Sequence, residues 1–540
     1  MKTKKEFFAK DRYFLIKKIK TSWIYDAFTN NVYSFPTELV NVLEKKSKDD
    51  VVVDIKQKLN QLEDIIPEKK NEKTLNVIIN LSNRCNLNCS YCYRRKNDNK
   101  EVNIEKIDNA ITLIMNNYYK DYKNYNFTFS MTSESSIELE KLKGIAILFD
   151  KYENWLFKKD DFITDNFHKI YKELFQLFKN TNFEWPVYSP ENTVFVLNKL
   201  LNRKDLLYVF QINKNKLPDY IKKEIDNISD LDYWKLHRVN RWLIEFYFSG
   251  YFKSANVKYC SFNFFTNGTN ANKDYIKFFK NLGKDTIMIS IDGNKRVHDR
   301  NRFFYNKKGS YNTIKNNIKI FHDNGLKLKA SATLTRNYPY PHKIIKQIKK
   351  LGFIGCEVCV VREGTNCSFE IRDLSRLFKS YKKIYKKLYS TLIKRKYEYI
   401  KFIRADACIT PLLTIINGTK ILTRCGLENQ IVIDTNGDIY DCLYFCSKKV
   451  GKIGNITLDF QKNQDKYKEL QVTNRRKCMD CWARYLCGGT CFYNSFITTG
   501  NLLEPSKIEC MIKEFYTKEC IKLLIKLKRK KFDIRNIISI

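Results

Sequence analysis

The sequence predicts an α/β fold in which parallel strands form a sheet that is closed or partly closed into a barrel. Short apolar runs typical of buried strands, at residues 75–81 and 127–131, enclose a stretch of helical apolar spacing at 104–119. Further strands are expected in 262–269, at the start of 286–302, in 328–335 and in 353–361. Polar residues and cysteines follow several of these runs, and sites lie at the carboxyl ends of such strands.

Three cysteines in one short loop directly after the first strand are the most informative feature of the chain. Cys85, Cys89 and Cys92 have the spacing C-x3-C-x2-C. A structural zinc ion or a closed [4Fe-4S] cluster takes four protein ligands. A loop with three thiols leaves one metal position for a small molecule. A chance cluster in a cysteine-rich chain is the alternative.

This spacing, with the aromatic Tyr91 before the last cysteine, resembles the signature of the radical S-adenosylmethionine (radical SAM) superfamily. The resemblance implies a core that is a partial (β/α)6 barrel. It also implies a [4Fe-4S] cluster that binds S-adenosyl-L-methionine and yields a 5′-deoxyadenosyl radical, chemistry that belongs to the cofactor.

The same resemblance implies cofactor contacts at the ends of later strands. The family places a Gly-Gly-Glu-Pro turn after the second strand. This chain has Thr132-Ser133-Glu134-Ser135, which keeps the glutamate. The third and fourth strands end in Thr-Asn-Gly and in Ser-x-Asp-Gly followed by His-Asp-x-x-Arg. The expected cofactor-binding residues are Tyr91, Ser133, Glu134, Asn267 and Ser290, whereas Asp292, His298 and Arg302 are expected to organise a turn.

A second cysteine system lies near the C-terminus. Its pattern is C-x11-G-x4-C, a gap, C-x2-C-x5-C-x3-C, a second gap and a last cysteine. This pattern resembles the SPASM domain, the C-terminal extension of radical SAM enzymes that modify peptides and proteins. A zinc ribbon is the alternative for its central part. The seven cysteines are Cys425, Cys442, Cys478, Cys481, Cys487, Cys491 and Cys510.

The SPASM resemblance implies two auxiliary [4Fe-4S] clusters. One would be held by Cys478, Cys481, Cys487 and Cys510. The other would be held by Cys425, Cys442 and Cys491 with a fourth ligand, for which Cys408 is favoured over Cys446, and an open iron site is the third alternative. Cys356 and Cys359, within an expected strand, are predicted to be packing residues.

The 17 cysteines also raise the question of disulfides, which need an oxidising compartment. Residues 1–20 are basic, but no apolar core of a signal peptide follows them. No run of about 18 apolar residues is present to span a membrane. The sequence therefore predicts a cytoplasmic protein with reduced thiols.

Length and charge set the remaining bounds. The 540 residues suffice for about three domains. The net charge of +39 is spread along the chain, which favours a solvated basic surface or an acidic peptide partner over nucleic acid. The basic segment 522–531 is predicted to be a terminal helix packed on its own domain, with a membrane or peptide contact as the alternative.

Three domains are predicted. Residues 1–72 are expected to form a small α+β domain with strands at 13–19, 23–28 and 32–35 and helices at 36–43 and 51–62. It is similar to domains that hold a leader peptide as an added strand, and a buttress for the barrel is the alternative. Residues 73–395 form the radical SAM core, with a helical insertion at about 140–257, and residues 396–540 form the SPASM domain.

This layout resembles maturases of ribosomally synthesised peptides. The implied reaction is hydrogen abstraction followed by a thioether or carbon–carbon crosslink, with a flavodoxin or ferredoxin as electron donor. One alternative is an anaerobic sulfatase-maturating enzyme, which makes formylglycine and has an aspartate directly after the second SPASM cysteine. Leu443 occupies that position here and cannot accept a proton. The other alternative is a non-catalytic, cluster-containing, peptide-binding protein. The sequence assigns no general base.

Overall fold

A computed structural model shows the arrangement of these segments. It describes residues 13–16, 21–27, 31–37, 40, 74–93, 101–118, 121–122, 124–129, 133–146, 148, 167–179, separate positions between 196 and 244, 259–281, 286–457 and 464–537. Within these residues no helix is long and apolar enough to cross a membrane. The predicted helix at 51–62 lies outside them.

Three antiparallel strands form a small N-terminal sheet in the order β1-β2-β3. They are β1 (Tyr13–Ile16), β2 (Thr21–Asp26) and β3 (Asn31–Pro36), so the predicted hairpin-led sheet is confirmed. Phe14 stacks on Trp482 with ring centroids 4.2 Å apart, and the buried Tyr25 meets the edge of the same indole. The sheet therefore packs on the C-terminal region.

The central sheet contains the first three strands of the predicted α/β core. In it β4 (Thr74–Ile79), β5 (Asn124–Phe129) and β6 (Tyr259–Phe264) pair in parallel. Alternate residues of β4 are fully buried, as expected for apolar side chains on one face of a strand. On the other face, Asn263 donates to Asn126 at 2.6 Å and Asn126 donates to Asn76 at 3.0 Å. This polar face carries an amide ladder across the three strands.

A second parallel sheet contains β7 (Thr286–Ser290), β8 (Lys327–Leu334) and β9 (Gly355–Val360). An isolated parallel bridge between Thr266 and Ile289 links the end of β6 to β7. All six predicted core strands are thus present and parallel to their neighbours. The α/β class is confirmed, with each strand shifted by a few residues from its predicted bounds.

Helices follow the strands, since parallel strands need crossover connections. The core helices are α1 (Ile104–Tyr118), α2 (Phe167–Phe178), α3 (Asp219–Asp226), α4 (Lys273–Asn281), α5 (Lys295–Asn301), α6 (Tyr311–Asp323), α7 (Pro341–Lys350) and α8 (Leu374–Ile393). Of these, α2 and α3 lie in the predicted helical insertion.

The C-terminal region adds an antiparallel hairpin to the central sheet. Strand β10 (Gln430–Ile433) pairs in parallel with β4, and β11 (Asp438–Tyr440) and β12 (Lys452–Asn455) continue the sheet outward. Its helices are α9 (Glu398–Phe402), α10 (Thr410–Ile416), α11 (Leu443–Lys448), α12 (Gln464–Glu469), α13 (Arg476–Met479), α14 (Arg484–Cys487), α15 (Phe492–Thr499) and α16 (Lys507–Arg529).

The long helix α16 packs on α8 and α10, and Phe515 stacks on Phe378 at 4.2 Å. The predicted C-terminal helix is therefore confirmed, and many of its residues are buried, as the packing alternative requires. Its last turn is basic, which suits a helix C-terminus.

Candidate functional site

The three-cysteine loop follows β4 and is held by the segment after α5. Ser90 N donates to the Asn301 carbonyl at 2.9 Å, and Asn88 N donates to the Phe303 carbonyl at 2.7 Å. Main-chain bonds of this kind satisfy a loop that has no regular secondary structure. The loop therefore has a fixed place at the carboxyl end of β4.

The three thiols of this loop lie close together. Burial raises the pKa of the Cys89 thiol to about 12, and the nearby Cys92 and Cys85 add to the rise. Arg302 opposes it. Thiols affect one another in this way at short range. The structure thus brings the three predicted ligands together.

The Ser-x-Asp-Gly and His-Asp-x-x-Arg residues form a hydrogen-bonded turn beside the loop. Asp292 accepts hydrogen bonds from the Tyr91 hydroxyl, from Arg302 Nε at 3.2 Å and from Thr333 N at 2.9 Å. His298 Nδ1 accepts from Asp292 N at 3.2 Å. These contacts agree with the turn-organising role expected of Asp292, His298 and Arg302.

Glu134 is buried behind the loop, where it joins two strand ends. Its Oε1 accepts from Thr266 Oγ1 at 2.5 Å and its Oε2 accepts from Asn267 N at 2.6 Å. Burial raises the pKa of this carboxyl, and these hydrogen bonds lower it. The Asn267 amide donates to Asn86 Oδ1 at 2.8 Å and lies 3.7 Å from Cys85 Sγ. Asn267 therefore supports the loop through protein contacts.

Several polar atoms in the loop and after later strands have no hydrogen-bond partner among the described residues. They are Asn88 Oδ1, Ser133 Oγ and Thr335 Oγ1, and all three are buried. Buried polar atoms are nearly always paired, because an unpaired one costs about 1–3 kcal/mol. A polar small molecule beside the thiols would satisfy such atoms. The site residues therefore fit a [4Fe-4S] cluster with S-adenosyl-L-methionine.

Two further thiol sets lie in the C-terminal region. In the first set, burial raises the pKa of Cys425, and Cys491 and Cys442 raise it further. In the second set, burial raises the pKa of Cys510, as do its neighbours Cys487, Cys478 and Cys481. The structure therefore groups the seven cysteines into two sets, and their assignment as cluster ligands stays a prediction.

The two candidates for a fourth ligand have other neighbours. The buried Cys408 lies beside Cys520, whose Sγ is 3.3 Å from the Cys408 carbonyl oxygen. Cys446 Sγ lies 3.7 Å from Asn80 Nδ2. In the part of the chain that the structure describes, no group of three or more His, Cys, Asp or Glu side chains could hold a single metal ion. The fourth-ligand role stays a prediction.

A row of aromatic rings connects the N-terminal loop with the first C-terminal set. Tyr93 follows Cys92, and its ring centroid lies 4.7 Å from that of Tyr444, which lies 5.1 Å from Tyr493. Cys92 and Cys442 both act on the pKa of Tyr93, which burial raises. Sequence reasoning missed Tyr93 and Tyr444, although each stands within two residues of a predicted ligand.

A cavity of about 200 Å³ opens beside β9, against the C-terminal region. Cys359 faces it, so the prediction that Cys359 is a packing residue was wrong, whereas Cys356 is buried as predicted. Charged side chains share its wall, and Lys513 pairs with Glu509 at 2.7 Å. That carboxylate also accepts from Cys491 N at 3.0 Å. The cavity therefore borders the first C-terminal set.

The position after Cys442 carries no carboxylate. Leu443 is buried in an apolar cluster. The acid before the cysteine, Asp441, accepts a hydrogen bond from the Tyr467 hydroxyl at 2.5 Å. Neither residue offers a free base at this point.

Parallel strands with a three-thiol loop at a strand end, together with two distal thiol sets, are the features that resemble radical SAM proteins of the SPASM type. No family model matches the chain. A cysteine-type anaerobic sulfatase-maturating enzyme of Clostridium novyi (strain NT) is 27% identical over 297 residues, which cover 52% of this chain and 78% of that protein.

Solved structures agree in fold. Native anSMEcpe with bound AdoMet superposes with a TM-score of 0.53 at 16% identity, over 84% of this chain and 99% of that one. The same protein with AdoMet and the Cp18Cys peptide gives a TM-score of 0.52 at 16% identity, over 85% and 99%. The predicted resemblance to radical SAM, SPASM-type maturases is therefore confirmed by these similarities.

Proposed function

We propose that this chain is a radical SAM enzyme that crosslinks a ribosomally made peptide through a thioether or carbon–carbon bond. The observation that carries the proposal is the loop of Cys85, Cys89 and Cys92 among buried polar atoms that lack protein partners. The aromatic row beside Cys92 adds support, because its ring contacts link this loop to the first C-terminal set.

Three thiols of the loop would hold a [4Fe-4S] cluster, and bound S-adenosyl-L-methionine would supply a 5′-deoxyadenosyl radical. Ser133 and Glu134 would contact polar groups of that molecule. The Ser290 hydroxyl, at the end of β7, has no hydrogen bond to the described residues. Tyr91 is held by Asp292 and would form one wall. The protein's part is to place the substrate C–H and to exclude water.

Crosslinking removes two hydrogens from the peptide. One hydrogen atom would leave with the adenosyl group, and the second would leave as a proton with one electron passed to an auxiliary cluster. The two C-terminal thiol sets would hold such clusters, one at Cys478, Cys481, Cys487 and Cys510. The set of Cys425, Cys442 and Cys491 borders the charged cavity, where a peptide segment would be accommodated.

We infer that the N-terminal sheet belongs to a leader-binding domain, residues 1–72. The solvent-exposed side chains of Tyr33 and Ser34 lie on β3, which is an edge strand of the described sheet. An edge strand can pair with an extended peptide. The contact of Phe14 with Trp482 supports the buttress alternative as well. A flavodoxin or ferredoxin is the proposed electron donor.

A second candidate function is the oxidation of a cysteine to formylglycine, because the Clostridium novyi relative is a sulfatase-maturating enzyme. That reaction exchanges the substrate sulfur for oxygen and needs a base. The buried Leu443 and the hydrogen-bonded Asp441 offer none next to Cys442. The crosslinking reaction is therefore preferred.

Anaerobic reconstitution followed by mass spectrometry tests the proposal. With dithionite the enzyme is expected to cleave S-adenosyl-L-methionine to 5′-deoxyadenosine, and a precursor peptide encoded beside it is expected to lose two hydrogens per crosslink. An exchange of sulfur for oxygen would support formylglycine formation. The absence of 5′-deoxyadenosine from an iron-loaded protein would favour a non-catalytic binding protein.

A further inference from the structure

One arginine in the C-terminal region is buried without an opposite charge. Arg475 lies just before α13, and its side chain is fully buried, with an exposed fraction of 0%. Its guanidinium donates to the Leu503 carbonyl at 3.3 Å, to the Thr490 carbonyl at 3.4 Å, to Thr490 Oγ1 at 3.2 Å and to Ser495 Oγ at 3.3 Å. It also lies over the Phe492 ring at 5.1 Å. Every one of these groups is neutral.

A buried cation of this kind is costly. Removal of an ion from water costs several kcal/mol even after the protein relaxes, and neutral acceptors recover part of that. Buried arginines are therefore normally paired. Among the described residues, no carboxylate pairs with Arg475.

Two other largely buried cations among the described residues show the usual arrangement. Arg302 pairs with Asp292 at 3.2 Å, and Lys513 pairs with Glu509 at 2.7 Å. Arg475 differs from both because its surroundings hold hydroxyls and carbonyls alone. The compensating negative charge must therefore come from another group.

Cys478 lies three residues after Arg475 and belongs to the four-cysteine set. Its amide donates to the Arg475 carbonyl at 2.7 Å. The guanidinium also packs against Gly489, where an added Cβ would lie 2.6 Å from Arg475 Nη1, and the Gly489 carbonyl lies 3.6 Å from Cys487 Sγ of the same set. Thr490, which binds the guanidinium, precedes Cys491 of the other set. The cation thus lies beside the four-cysteine set and contacts the residue that precedes Cys491.

We propose that Arg475 is a positioning residue that provides the fixed counter-charge for a cluster at Cys478, Cys481, Cys487 and Cys510, and thereby raises its reduction potential. This inference rests on the proposed function, which places a cluster at these thiols. Cluster potentials depend on net charge, hydrogen bonds and solvent exposure. One-electron reduction makes the cluster with its thiolates more negative. A buried, unscreened cation stabilises that form more than the oxidised one.

The test is a redox titration of the full-length protein, reconstituted anaerobically and followed by electron paramagnetic resonance. Arg475→Gln is expected to lower the midpoint potential of one cluster by at least about 59 mV, which is tenfold in the one-electron equilibrium constant. Arg475→Lys is expected to restore most of it. Arg476→Gln is the matched control, since Arg476 is the exposed neighbour and its charge is screened by water.

A second variant neutralises the charge of Arg475 without removing the arginine. Ser495→Asp places a carboxylate beside the guanidinium, and it is expected to lower the same midpoint. If Arg475→Gln does not bind iron, Ser495→Asp is the variant that tests the role of Arg475. Full iron content with unchanged midpoints in the decisive variant would overturn the proposal. Wild-type protein that binds no iron at these four thiols would instead count against the proposed function.

Discussion

The N-terminal loop and the distal four-cysteine set solve different problems with the same side chain. Around Cys85, Cys89 and Cys92, the charges are balanced within the protein, as Arg302 pairs with Asp292, while several buried polar atoms lack partners. Around Cys478, the polar atoms of Arg475 are hydrogen-bonded, while its charge lacks a partner. The first region is suited to a polar small molecule, and the second is suited to a closed anionic group.

Removal of the loop thiols should have the largest effect. The triple change Cys85→Ala, Cys89→Ala and Cys92→Ala is expected to reduce 5′-deoxyadenosine formation to the background without enzyme. Iron content should fall by about one third from roughly twelve per chain, since the distal sets remain. Chromatography of the nucleoside and iron quantitation measure both. Formation of 5′-deoxyadenosine by this variant would contradict the assignment of S-adenosyl-L-methionine cleavage to the N-terminal loop.

Removal of distal thiols should separate the two regions in the other direction. Cys478→Ala with Cys510→Ala is expected to lower iron content by about one third and to abolish the crosslinked product. Cleavage of S-adenosyl-L-methionine should persist, because the loop and its polar surroundings are intact. Mass spectrometry of the peptide and nucleoside analysis provide the measurements. Equal loss of both activities would argue that the sets do not function separately.

The carboxylate behind the loop should contribute to cofactor affinity. Glu134→Gln removes a charge-assisted acceptor, which is worth about 1.5–3 kcal/mol, so the Kd for S-adenosyl-L-methionine should rise by about 10- to 100-fold. Isothermal titration calorimetry of the iron-loaded protein measures it. Glu101→Gln, at an exposed acid, is the matched control. An unchanged Kd would leave Glu134 with a structural role at Thr266 and Asn267.

Much of the fold could be predicted because it follows from local patterns. The runs at β4, β8 and β9 are apolar and short, and the helical spacing of α1 is regular. The pairing of β10 with β4 was not predicted, because these strands lie about 350 residues apart and nothing local specifies the contact. Pairings of that kind depend on tertiary packing.

The candidate site shows the same division. Cysteine spacing predicted the loop, since ligand spacing is a property of the chain itself, and the partition of the distal thiols was implied by the resemblance to the SPASM domain. Arg475 could not be recognised, because in Asn474-Arg475-Arg476-Lys477 it looks like part of a solvated charged stretch. Cys359 was predicted to be a packing residue, since a strand alone does not show which face lines a cavity.

The turn beside the loop should make stability depend on pH. Burial lowers the pKa of His298 to about 4, from 6.5. Because the pKa of His298 is lower in the folded state, the unfolded chain binds its proton more tightly. The contribution of His298 to the stability of the fold is therefore complete above about pH 6.5 and is lost as the pH falls toward 4. This difference between the folded and unfolded pKa of His298 corresponds to about 3 kcal/mol in the free energy of unfolding. Denaturant unfolding measures the free energy of unfolding of wild type and of His298→Gln. The difference between the two proteins should narrow by this amount as the pH falls from about 6.5 toward 4. A constant gap would contradict it.

The smallest effect is expected at Cys408, the favoured fourth ligand from sequence. Its side chain is fully buried, and its neighbours are Asp406 and Cys520. Cys408→Ala should therefore leave iron content and the spectra of the first distal cluster unchanged, with a modest loss of stability from the missing sulfur. Cys425→Ala, in the same region, is the comparison variant. It should lower the iron content and weaken the spectroscopic signal of the first distal cluster. Iron loss in Cys408→Ala would instead support Cys408 as the fourth ligand, and it would make the first distal set as closed as the second.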